Sequence, residues 1–388
     1  MPLATDVDIT PAGQRPDADP SLAARNNGGT PPSADPAPSG RREALLVLGF
    51  GGPEGPDEVM PFLENVTRGR GIPRERLLDV AEHYQHFGGV SPINQQNRAL
   101  TAAVEREFAA AGLDLPVYWG NRNWAPYVEH VWRQMADDGI EHVYVFPTSG
   151  FASWSGCRQY HEDVARARSV LTGAAPGGGP TAEKLPHYGD HPSFVQANAE
   201  ALAAALAALP DDVRDTARLV ATAHSIPDSM AAVAGPDGGA YQAELLRSAR
   251  LVVDAVAPGR AFDLVWQSRS GPPSVPWLEP DVNDHLRALA EAGEKAVVVF
   301  PIGFVSDHVE VAWDLDNEAR ETAEELRMAF VRAGTAGTHP AFVAMVRELV
   351  EERRSGAPPR LGTNCPASCC HVRRRPTGLH RGQEPSPV

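Results

Sequence analysis

The sequence predicts an α/β fold of two doubly wound domains on mostly parallel sheets, and three observations carry that expectation. Short apolar runs ending in Gly, Pro or Ser alternate with segments of helical periodicity, the pattern of strands joined by crossover helices. The length of 388 residues exceeds the roughly 250–300 residues at which a single core stops growing. Two of the apolar runs, VYVFPTSGF at 143–151 and VVVFPIGF at 297–304, resemble each other and fall one in each half.

The elements follow in order. Residues 1–42 hold eight Pro and four Gly among polar residues; they bury too little to offset ordering entropy and read as a disordered tail. ALLVLGF at 44–50 is a buried strand, and GGPEGPDEV after it is a strand-to-helix turn. Further strands are expected at 117–120, 142–151, 217–227, 262–268 and 295–304, with helices at 93–112, 126–139, 191–210, 240–257 and the long stretch 308–333. The division is a first domain at 43–175, a second at 176–355, and a cysteine-bearing tail at 356–388. In such sheets ligands bind outside the carboxyl ends of the strands.

Charge narrows the function. Fifty Asp and Glu against 35 Lys and Arg leave a formal net charge of −15. The tail 1–42 contributes −1 and residues 365–388 contribute +3, so the body 43–364 carries −17. That argues against a nucleic-acid binder or a protein of anionic membranes, and an anionic ligand must be met by local arginines. No run approaches the ~18 apolar residues of a spanning helix. The N-terminus has Asp6 and Asp8 and no apolar stretch of a secretory signal, so a cytoplasmic chain is expected. Four cysteines are too few for a disulfide scaffold and read as ligands or thiols.

Four groups could carry chemistry. His224, in TAHSIP directly after a strand, is either a satisfied structural histidine or an imidazole exposed at the ligand edge, able to take a proton or bind a metal. Glu310, Asp314 and Glu318 in SDHVEVAWDLDNE recur at i, i+4 and i+8, so a helix starting near Asp307 puts them on one face. They form either a solvated acidic face or, given Val311, Trp313 and Leu315 between them, a carboxylate line facing a cleft that holds or conducts cations and protons. Arg68 and Arg70 in NVTRGRGIP fit carboxylate recognition or are solvated loop charges. Cys157 stands alone while Cys365, Cys369 and Cys370 cluster; four thiols match a [2Fe–2S] cluster or a tetrahedral zinc, or are incidental.

Together the motifs resemble the ferrochelatase family from about Ala44 to about Arg353. They run in family order as LLVLGFGGPEGPDEV, FLENVTRGRGIP, YQHFGGVSPIN, WGNRNWAP, LPHYGDHP, TAHSIP, WQSRSGPPSVPWLEPD and PIGFVSDHVEVAWDLDNE. The resemblance implies two Rossmann-like, chelatase-type domains with a porphyrin cleft between them, and insertion of Fe(II) into the porphyrin. It implies that His224 is the metal-site histidine, Glu310 the carboxylate facing it, and Asp314 and Glu318 an acidic line on a distorted helix. The closest likeness is to the soluble actinobacterial branch acting on coproporphyrin III. That likeness implies a [2Fe–2S] cluster on Cys157, Cys365, Cys369 and Cys370, and porphyrin contacts at Phe50, Thr67, Arg68, Tyr84, Ser91, Gln159 and Tyr160. Phe50 and Thr67 depart from the tyrosine and arginine of some relatives. A monomer and a downstream enzyme of haem synthesis as partner are further family expectations. The alternatives are a protoporphyrin IX ferrochelatase and a non-catalytic tetrapyrrole or iron carrier.

Overall fold

The computed structural model describes residues 40–69, 71–172, 179–271, 274–358 and 369–370. The tail 1–39, Arg70 and Cys365 therefore lie outside the described residues. Among the described residues, eight strands form two four-stranded sheets. The first contains β1 (Glu43–Gly49), β2 (Val117–Asn121), β3 (His142–Pro147) and β4 (Thr181–Lys184), in the order β2-β1-β3-β4. The second contains β5 (Arg218–His224), β6 (Phe262–Gln267), β7 (Ala296–Phe300) and β8 (Ala329–Arg332), in the order β6-β5-β7-β8. Every pairing is parallel, and the second sheet repeats the strand order of the first.

The apolar runs explain the burial. Along β1, Leu45 and Val47 face one core while Ala44, Leu46 and Leu48 face another, the two-residue alternation of a strand covered on both sides. Leu219, Ala221 and Ala223 of β5 join the same core as Leu45, while Val220 lies in a third. The shared core is filled from the helices Ile93–Ala110, Pro192–Ala207, Ala240–Val256 and Pro340–Arg354 through Phe108, Leu202, Val252 and Phe342. The inner faces of the two sheets are thus sealed by one continuous apolar layer.

Several expectations are corrected. The first sheet extends to β4, past the 175/176 division, and the helix Pro340–Arg354 returns to it: Arg347 bonds Glu107 at 2.8 Å and Arg354 bonds Glu43 at 2.9 Å. The strands expected to run to 151 and 304 stop at Pro147 and Phe300, where proline removes a ladder donor. The stretch 308–333 is not one helix. It begins at Val309, passes through π-helical turns at Ala312–Ala319, continues as Arg320–Glu325, and ends in β8. Arg327, at φ +54°, makes the turn. Among the described residues no helix is long and apolar enough to cross a membrane.

Candidate active site

His224 is the last residue of β5. Ser225 closes the ladder to β6, its N–H bonding the Gln267 carbonyl at 2.8 Å, and its hydroxyl bonds the Leu278 carbonyl at 2.9 Å. The Tyr241 hydroxyl donates to the His224 carbonyl at 2.8 Å. On the ring, Nδ1 meets the Ser225 carbonyl. A carbonyl only accepts, so Nδ1 carries the hydrogen and Nε2 is the bare nitrogen of the neutral ring. Nε2 points at Glu310 Oε2, 3.4 Å away. Their side chains are 35% and 46% exposed, so a ligand can reach both.

Electrostatics separates the two groups. Burial alone would raise the Glu310 pKa, but when His224 is protonated its Nε2–H bond and charge, with His308 and His83 nearby, hold it down at about 2. Burial would lower His224, and the Glu310 contact raises it instead. Asp314 behaves oppositely: desolvation pushes it up to about 7, with Glu310 and Glu318 adding repulsion and Ser268 partly offsetting both. The Ser268 hydroxyl and the Gln267 amide, at 3.3 Å, donate to Asp314. Ser268 holds φ +61° to do so, an uncommon geometry for a non-glycine residue.

The π-helical turns carry the acidic line. In them the backbone bonds reach i+5 instead of i+4, and the Trp313 indole N–H donates to Glu318 Oε1, five residues on, at 2.9 Å. Arg332 on β8 pins the same segment with a fork onto Asp316, two bonds of 2.7 Å, and reaches Asp307 at 3.1 Å. The structure thus sets Glu310 and Asp314 beside His224, with Glu318 near Asp314, on a distorted helix.

The expected porphyrin contacts fall into a linked chain. Arg122 lies over Tyr160 at 4.6 Å and toward Phe50 at 6.0 Å. Phe50 packs on Phe62 at 6.4 Å, and Phe62 on Tyr84 at 5.9 Å. Burial first, and then the Glu310 charge, raise the Tyr84 phenol pKa, which puts this ring near Glu310. Thr67 spends its hydroxyl on the Leu63 carbonyl at 2.6 Å, while Arg68 is exposed. Ser91 is buried, its N–H on the Pro53 carbonyl at 2.8 Å, and Gln159 is buried at the start of the helix Gln159–Thr172. Sequence reasoning missed Arg122, Ser268 and Gln267. The signal for all three was position, since each follows or ends a strand on the ligand edge.

The cysteines divide. Cys157 is buried in a short π-helical stretch, Trp154–Arg158. Burial would raise its thiol, but hydrogen bonds from His161 and His187 and the charge of Lys184 bring it down to about 5. Cys369 and Cys370 are buried with sulfurs 3.7 Å apart, and the Gly235 N–H donates to Cys370 Sγ at 3.1 Å. Two thiolates on one tetrahedral metal at ~2.3 Å stand ~3.8 Å apart, close to the separation of this pair. Among the described residues no group of three or more His, Cys, Asp or Glu is set to hold a metal ion.

Known proteins resemble the chain as follows. The chain is 57% identical to a coproporphyrin III ferrochelatase of Nocardia farcinica over 87% of its length and 99% of the relative's. It is 57% identical to that of Mycolicibacterium smegmatis, covering 82% and 92%, and 52% identical to that of Streptomyces griseus, covering 87% and 95%. SirB from Bacillus subtilis, with bound Fe3+, aligns at a TM-score of 0.49 and 14% identity over 81% of this chain and 98% of that one. The family model described as ferrochelatase matches residues 42–354, and the chain belongs to the ferrochelatase family.

Proposed function

We propose that the protein inserts Fe(II) into coproporphyrin III, giving coproheme for haem biosynthesis. The observation that carries the substrate is the 52–57% identity, across more than four-fifths of the chain, to relatives bearing that activity in their names. The His224–Glu310 pair supports the chemistry. Metallation releases two pyrrole protons as four nitrogens close on the ion. The bare Nε2 of His224 accepts a proton, Glu310 stays ionised to hold the imidazolium or the incoming cation, and Asp314, titrating near 7, relays protons toward Glu318. Tyr84, Tyr160 and Phe50 wall the macrocycle. Arg68, Ser91 and Gln159 receive propionates, and Thr67 can do so only by giving up its bond to the Leu63 carbonyl.

The fit of the Cys369–Cys370 pair to one iron, and the acidic thiol of Cys157, support a [2Fe–2S] cluster completed by Cys365. Such a cluster supplies one-electron redox capacity and ties the C-terminal segment to the fold. We read the body as two Rossmann-like units flanking the site, acting in the cytoplasm as a monomer that hands its product to a downstream enzyme. The test is anaerobic Fe(II) insertion with coproporphyrin III and protoporphyrin IX in parallel. At least ~10-fold higher kcat/KM for coproporphyrin III, a difference of about 1.4 kcal/mol, is expected; equal or reversed values overturn the substrate assignment.

A further inference from the structure

Trp313 makes two contacts that packing alone does not require. Its indole N–H donates to Glu318 Oε1 at 2.9 Å. Residues five apart on an α-helix point about 140° away from each other at ~100° per residue, so this bond depends on the π-helical turns. Its ring is clasped from outside that segment. His83 lies flat on it, centroids 4.0 Å apart and planes within 9°, while His86 at 5.4 Å and Phe87 at 6.5 Å meet it edge-on.

The clasp belongs to another element. His83 and His86 close the helix Arg74–His86, which carries Tyr84 and packs through it on Phe62 of the helix Val59–Val66. The same two helices form a small apolar cluster with Val309, next to Glu310. The hairpin holding the expected porphyrin contacts thus also holds the side chain that bonds the outer carboxylate of the acidic line.

We propose that Trp313 is a positioning residue for iron delivery: it fixes the Glu318 carboxylate through its N–H and, through His83, ties that carboxylate to the porphyrin-contacting hairpin. This rests on the reading of Glu310, Asp314 and Glu318 as the cation and proton path. Glu318 then has a fixed orientation only while the hairpin is docked.

The test is steady-state Fe(II) insertion by the full chain and its variants, varying each substrate in turn. Trp313→Phe keeps an aromatic ring for the clasp and deletes the donor. It is expected to raise the KM for Fe(II) about tenfold, the scale of one hydrogen bond to a charged group, with the porphyrin KM and the urea midpoint unchanged. His83→Ala is expected to raise the same KM by a smaller factor and to add nothing on top of Trp313→Phe. Wild-type iron KM in Trp313→Phe, or parallel changes in both substrate constants, overturns the proposal. Glu318→Gln separates the two levels: an unchanged iron KM there overturns the carboxylate-path reading and the proposal with it, whereas a raised KM beside a silent Trp313→Phe overturns the proposal alone.

Discussion

At the scale of single residues, neighbouring acids of the site have opposite pKa shifts. Glu310 is held at about 2 by His224, and Asp314 is pushed to about 7 by burial and by the carboxylates on either side. A relay needs that contrast: one group permanently charged, the next able to take and release a proton near neutrality. Insertion should therefore accelerate as pH rises through about 7, where Asp314 becomes able to accept. Asp314→Asn should lose that limb and slow turnover by ~10²-fold, measured as kcat/KM against pH. The stability sign is opposite. A raised pKa contributes stability that is present below the unfolded value of 3.8 and lost as pH rises to about 7. Asp314→Asn should thus gain in urea midpoint relative to the wild type between pH 4 and pH 7, and no further above it. His224 and the three carboxylates were legible in the sequence because they follow strand ends. Ser268 shares that position just after β6, but nothing in WQSRSG reveals that its hydroxyl turns back onto Asp314.

At the scale of elements, the π-helical segment Ala312–Ala319 is the least regular part of the second half. Arg332 spans Asp307 and Asp316, with 14% of its side chain exposed against 28% and 31% for the acids. Removing it leaves Asp307 without this cation and Asp316 with only the longer contact to Arg320 at 3.9 Å. Arg332→Ala should destabilise by about 2 kcal/mol, below the 3–5 kcal/mol of a fully buried pair because the acids remain partly wet; urea unfolding measures it. Acidic residues every fourth position read as one regular helix over 308–333, and that periodicity conceals both the π turns and β8. The strand sequence AFVR of β8 and TAEK of β4 are short edges with little apolar alternation. They form because the neighbouring strands β7 and β3 offer free ladder groups, information that no local pattern contains.

At the scale of the molecule, one apolar layer joins both sheets, and Phe342, fully buried on the last long helix, touches Phe146 of β3, Tyr188 and Phe194 at centroid distances of 6.0 Å. Phe342→Ala should cost ~3–5 kcal/mol and shift a single unfolding transition monitored across both halves; two separated transitions would contradict a shared core. Repeated strand order was foreshadowed by the likeness of VYVFPTSGF and VVVFPIGF, whereas the return of the helix Pro340–Arg354 to the first sheet was not, since a helix does not record in sequence which sheet it covers. For the cluster, anaerobically purified protein should show visible [2Fe–2S] absorption and about two irons per chain, and Cys157→Ser should abolish both; a colourless chain with one zinc would contradict it. The charge of the body, −17 by residue count, fits a protein that gathers a cation; the proposed porphyrin contacts, Arg68 among them, would have to meet an anionic ligand against that background.

The most direct measurement is single-turnover Fe(II) insertion into coproporphyrin III by the wild type and His224→Ala, with porphyrin binding followed in the same samples. The account predicts a loss of at least ~10²-fold in the insertion rate with porphyrin affinity retained. Insertion by His224→Ala at the wild-type rate would contradict the assignment of the His224–Glu310 pair as the place where metal and macrocycle meet.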